Sequence, residues 1–149
     1  MSGNQIDPVI MEPREFSRLV KRTPVDELRA VMHGDRRGHV LDELVRRMPG
    51  VFRPDRAGAM NAVIHWNIGD RPDGGTDVYE LVIADGVCQL SDQPDREPKL
   101  TLSLGAVDFL HLVTGNARAV MLVMKGKLKT KGDMALTAKF PSLFDVPKP

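Results

Sequence analysis

The chain has 149 residues, 42% of them hydrophobic, which suits one domain that buries its own core without disulfides or a structural metal. Its 21 Lys and Arg nearly cancel 20 Asp and Glu, so no net field draws it to nucleic acid, and the single cysteine, Cys88, excludes an intramolecular disulfide and a cysteine-built zinc site. Met1 to Ile10 lacks the basic-then-apolar pattern of a leader, no stretch approaches the ~20 apolar residues of a spanning helix, and Asp145-Val-Pro-Lys-Pro149 is neither a peroxisomal address nor a prenylation signal, so the expected compartment is the cytoplasm.

The first part reads as helices. Pro13 to Lys21 carries Phe16, Leu19 and Val20 in helical register. Thr23-Pro24-Val25-Asp26 predicts an N-cap threonine with proline at the first helical position, followed by the stripe Leu28, Val31, Met32 and a stop at Gly34. A further helix has Val40, Leu41, Leu44, Val45 and Met48 on one face and Asp42, Glu43, Arg46 and Arg47 on the solvated one, ending at Pro49-Gly50.

From about residue 59 the period changes to two. Met60, Ala62, Ile64, Trp66 and Ile68 alternate with Asn61, Val63, His65 and Asn67, which predicts a strand with one buried face. After a glycine-rich turn, Tyr79, Leu81 and Ile83 alternate with Glu80 and Val82, and Asp85-Gly86 predicts a tight hairpin into a strand near Val87 to Leu90. Leu100, Leu102 and Leu104 mark a fourth strand. Ala106, Phe109, Leu110 and Val113 then define an amphipathic helix ending at Gly115. The run Ala117 to Met124 is too apolar to lie exposed and is expected to be buried or to cover something buried. Lys125 to Lys131 alternates lysine with Gly126, Leu128 and Thr130, a strand with one charged face, and Gly132-Asp133 caps a last helix with Met134, Leu136, Ala138 and Phe140, closed by Pro141.

The stretch Met121-Leu-Val-Met-Lys-Gly-Lys-Leu-Lys-Thr-Lys-Gly-Asp-Met-Ala-Leu136, preceded by the helix Ala106 to Gly115, resembles the C-terminal signature of the sterol carrier protein-2 family, and the order of elements follows that family over roughly residues 38 to 144. The resemblance implies an α+β fold: a five-stranded, mostly antiparallel sheet with helices on one face and a tunnel for a sterol, fatty acid or fatty acyl-CoA that is bound and presented, not converted. Residues 1–37 then form an N-terminal helical extension packed on the domain 38–149. The expected ligand-facing side chains are Trp66, Leu102, Phe109, Val113, Val120, Met121, Met124, Leu136 and Phe140, and no cofactor or metal is implied. Met134 joins Met121 and Met124 as a further candidate for that lining, since flexible thioethers adapt to varied apolar guests. Thr130 stands where the family carries an aliphatic residue, and the peroxisomal tail is missing. An enzyme served by this module would be another polypeptide.

Chemistry has few candidates. Asp108 and His111 lie three apart on one helix face and resemble a general-base pair, yet no nucleophile accompanies them; a small hydrolase or isomerase using them or His65 is the competing reading. A third reading is a module that docks to a lipid-metabolising enzyme. His33 and His39 lack metal-ligand spacing, and Cys88 reads as a small buried hydrophobe. Lys125, Lys127, Lys129 and Lys131 either protect an edge strand from aggregation or contact an anionic membrane.

Overall fold

The computed structural model of the protein describes residues 6–149; the first five positions of the segment read as lacking a leader lie outside the described residues. Three helices open the chain: α1 (Pro13–Arg22), α2 (Val25–Met32) and α3 (Arg37–Arg46). Pro13 supplies the pre-set φ of a first helical residue, and the Glu12 carboxylate caps α1 by accepting from the Arg14 and Glu15 amides. The cap expected at Thr23 does not form. Its hydroxyl donates instead to the Leu19 carbonyl at 2.5 Å, closing the end of α1, and α2 begins after Pro24 without a side-chain cap. A short helix α4 (Pro54–Ala57) leads into the sheet.

The sheet comprises β1 (Ala62–Gly69), β2 (Asp77–Ala84), β3 (Val87–Leu90), β4 (Leu100–Gly105) and β5 (Lys129–Gly132), in the order β3-β2-β1-β4-β5. Only β1 and β4 pair in parallel, which requires the long crossover between them. Asp85 and Gly86 both have positive φ, the backbone that a two-residue hairpin needs. Register sets the buried face: Ile64 lies opposite Leu81 and Leu100, Trp66 opposite Tyr79 and Leu102, and Ile68 opposite Leu104. Helices α5 (Ala106–Val113), α6 (Ala119–Met124) and α7 (Met134–Lys139) complete the chain on that face. The Asp133 carboxylate caps α7 by accepting from the Leu136 amide at 2.7 Å, as its sequence position predicts.

One core joins these parts, with Phe16, Leu28 and Met32 of the first helices buried in the same cluster as Ile64, Trp66, Phe109 and Leu110. Each such large side chain contributes about 1.5–3 kcal/mol relative to exposure. Arg37 is the polar fastening. Buried at the start of α3, it donates to Asp77 Oδ2 at 2.9 Å and to the carbonyls of Met32, Ile68, Gly69 and Asp70, so one guanidinium gathers the ends of α2, β1 and β2.

Further sequence expectations are corrected here, beginning with Glu43, expected on the solvated face of its helix but buried and paired with Arg46 and Arg47. Met60 lies outside β1. Glu80, which alternates with the apolar positions Tyr79, Leu81 and Ile83, is buried as well, because the loop after β3 folds over it: the Arg96 amide donates to Glu80 Oε1 at 2.9 Å and Arg96 Nη1 to Oε2 at 3.0 Å. The lysine strand is shorter than its alternation suggested. Lys125 ends α6, Gly126 turns the chain with φ +72°, and only Lys129 and Lys131 stand on β5, at the sheet edge.

Candidate functional site

Aromatic rings run from the sheet to the C-terminal segment. Trp66 meets Phe109 of α5 edge-on at 5.0 Å and Phe140, just after α7, at 5.5 Å; Phe140 then contacts Phe144, and Phe144 contacts Phe52. Backbone bonds secure the far end, since Arg53 N donates to the Leu143 carbonyl at 2.7 Å and Asp145 N to the Val51 carbonyl at 2.8 Å. The last residues pass over the end of α5 at Gly115. A Cβ there would lie 2.7 Å from the Pro147 carbonyl oxygen, so glycine is required both by this approach and by its φ of +73°. Ser17 of α1 holds the same carbonyl by donating its hydroxyl at 3.3 Å.

Beside these rings is a cavity of about 660 Å³. Trp66, Phe140 and Phe144 form one wall, Ala119, Val120 and Met121 of α6 another, and Leu112, Val113 and Val146 the end. Among the described residues four ionisable groups border it, Arg56, Arg118 and Lys148 against Asp145, and no Ser, Thr, Cys or His does. A second cavity of about 620 Å³ opens on the other side of the C-terminal segment, between α1 and α3. Met48, Val113 and Val146 belong to both, so the two are neighbours across a thin partition.

Of the nine positions read from the sequence, Trp66, Val113, Val120, Met121 and Phe140 border the first cavity. Leu102, Phe109 and Leu136 are buried in the core without bordering it, and Met124 points away, 75% exposed. Met134, at the start of α7, also lies outside it and is 86% exposed. The run Ala117 to Met124 meets the second of its two expected outcomes: α6 buries only Leu122, and Ala119, Val120 and Met121 cover the cavity. Arg56, Arg118, Phe144 and Val146 escaped the reading. Phe144 alone carried a signal, an aromatic residue following the proline that ends α7.

Other candidate groups are spoken for. No hydrogen bond joins Asp108 to His111; they border a separate, smaller depression with Lys127 and Asp70, and burial holds the His111 ring below its usual pKa despite the Asp108 charge. His65 Nε2 lies 2.9 Å from Glu80 Oε1. Burial opposes ionisation of Glu80, but hydrogen bonds from Ser91, His65 and Arg96 outweigh it and bring its carboxyl down to about 2. His39 pairs with Asp7 at 2.9 Å. Burial pushes the Cys88 thiol up to about 12, which leaves it unreactive. Among the described residues no group of three His, Cys, Asp or Glu side chains could hold a metal ion, and no helix is long and apolar enough to cross a membrane.

The profile of the SCP-2 sterol transfer family matches residues 41–145, and the chain belongs to that family. The chain is 28% identical over 109 residues to hydroxysteroid dehydrogenase-like protein 2 of Bos taurus, an alignment covering 73% of this chain and 26% of that protein. The chain thus spans about a quarter of that relative's length. Among solved structures it is similar to apo sterol carrier protein 2 of Yarrowia lipolytica (TM-score 0.53, 24% identity, 76% of this chain and 94% of that one). It is also similar to palmitated SCP2L2 of Aedes aegypti (TM-score 0.53, 17% identity, 68% and 91%). The fold read from the sequence, α+β with a five-stranded, mostly antiparallel sheet, is the fold these proteins share.

Proposed function

We propose that the protein binds an apolar lipid and carries or presents it unchanged, with the ligand's chain in the cavity under α6 and its polar end toward Arg56, Arg118 and Lys148. The observation that carries this reading is the cavity itself. Its volume of about 660 Å³ falls within the ~300–1,000 Å³ of small-molecule sites, and its walls are aromatic, methionine and aliphatic side chains with charge only at the border. Three cations against one carboxylate favour an acidic headgroup, so fatty acids and fatty acyl-CoA fit this border better than a neutral sterol. Among the described residues the lining offers no Ser, Thr, Cys or His, only the Asp145 carboxylate and the Lys148 amine at its border, which favours binding without conversion. Membership of a sterol transfer family, and the palmitate named for the mosquito protein, agree with an apolar guest.

Presentation to an enzyme is compatible with this reading. The alignment to part of a hydroxysteroid dehydrogenase-like protein supports a lipid-metabolising partner whose substrate this module holds. Native mass spectrometry after incubation with palmitate or palmitoyl-CoA tests the carrier reading. A one-to-one complex lost on gentle activation is expected, whereas a ligand-free protein at saturating lipid would contradict it.

A further inference from the structure

Among the described residues the exposed ridge of α6 has no partner. All six residues of the helix are apolar, and only Leu122 is buried. At 100° per residue, Val120 and Met124 fall on the opposite side, 61% and 75% exposed, and Val123 lies on their flank, 45% exposed, so the three form one apolar ridge. A soluble surface does not leave such a cluster on a single turn and a half of helix without a use.

Charge identifies what covers it. Between Phe109 and Gly132 the chain has no Asp or Glu but five Lys and Arg, although the whole chain is balanced at +1. Arg118 immediately precedes the helix and Lys125 immediately follows it, and both border one groove with Met121 and Leu122. Lys127 is two residues further on. An apolar ridge between cations is the arrangement that a bilayer interface accepts: methionine and valine enter the acyl boundary while lysine and arginine stems reach the headgroups. A protein partner fits less well, because lysine is depleted where protein surfaces meet.

We propose that α6 is the surface by which the protein docks on an anionic lipid bilayer, with Val120, Val123 and Met124 inserted and Arg118, Lys125 and Lys127 on the headgroups. Because Val120 and Met121 also wall the cavity, docking places the cavity's α6 side against the source of its guest. The inference rests on the carrier reading only for this second consequence.

Flotation with vesicles of phosphatidylcholine, with or without phosphatidylserine, tests it, alongside palmitate titration followed by Trp66 fluorescence. Two variants outside the cavity wall are used, Val123→Asp and Lys125→Glu, each checked by circular dichroism. The wild type is expected to float with the serine-containing vesicles, far less with pure phosphatidylcholine, and less as salt rises. Val123→Asp should weaken flotation by about tenfold or more, since it carries a charge into the acyl boundary, and Lys125→Glu should remove much of the phosphatidylserine advantage, while both bind palmitate as the wild type does. Equal flotation of wild type and Val123→Asp overturns the proposal, as does a wild type indifferent to phosphatidylserine. A dimer lost in Val123→Asp, with no vesicle binding by the wild type, overturns it in favour of a second copy on the ridge. Vesicle binding that persists where palmitate binding fails upholds the docking surface and removes only the carrier reading.

Discussion

Trp66 and Phe140 meet edge to face at 5.5 Å, and this contact ties the middle of the sheet to the segment that follows α7. Both rings also border the cavity, so the same pair holds the helical layer in place and shapes the space under α6. Phe140→Ala should therefore act on stability and on binding together. A loss of about 3–5 kcal/mol in urea unfolding is expected from the emptied volume and the lost ring contacts. Palmitate affinity should fall in the fraction that remains folded. An unchanged unfolding midpoint would remove Phe140 from the core.

Glu80 yields a pH prediction. Its folded carboxyl, at about 2, is depressed below the ordinary range of a glutamate, so ionised Glu80 stabilises the fold above the unfolded value, and that contribution is lost as pH falls from there toward 2. Glu80→Gln should cost about 1–3 kcal/mol near neutrality, because His65 and Arg96 lose a charged acceptor in a buried place. The gap between variant and wild type should close as the pH approaches the folded value. Denaturant titrations across that range measure it, and a constant gap would show that the carboxylate's charge is irrelevant.

Arg37 makes five donations from one buried guanidinium, four of them to backbone carbonyls. Arg37→Lys retains the charge but not the fork, and we expect it to destabilise the domain by about 3 kcal/mol or more. Asp77→Asn, which removes a half-exposed partner at the rim, should cost less. The comparison requires only thermal or urea melts of the two variants, and the reverse order would contradict the assignment.

Much of this architecture was legible because period and burial agree. In β1 the alternation of Ala62, Ile64, Trp66 and Ile68 is the alternation of the buried face, and Asp85-Gly86 makes the turn its chemistry demands. Legibility failed where burial depends on segments distant in sequence. Nothing around Glu80 announces that Arg96, sixteen residues later, returns to cover it. Nothing near Arg56 announces that it shares a border with Lys148. The apolar run at α6 left two outcomes open because hydrophobicity predicts removal from water but not by what. Here the fold buries only Leu122, while Val120 and Met121 wall the cavity. Thr23 was misread because its hydroxyl had two helix ends within reach and took the carbonyl of the earlier one.

The central claim is that an acyl chain is enclosed beside Trp66, the only tryptophan, and intrinsic fluorescence during titration with saturated fatty acids of increasing length tests it most directly. Each enclosed methylene contributes about 0.8 kcal/mol, or roughly a fourfold gain in affinity, until the cavity is filled. A saturable change in Trp66 emission is expected, with a dissociation constant that falls stepwise with chain length and then levels off. An affinity independent of chain length, or saturable binding that leaves the tryptophan emission untouched, would contradict it.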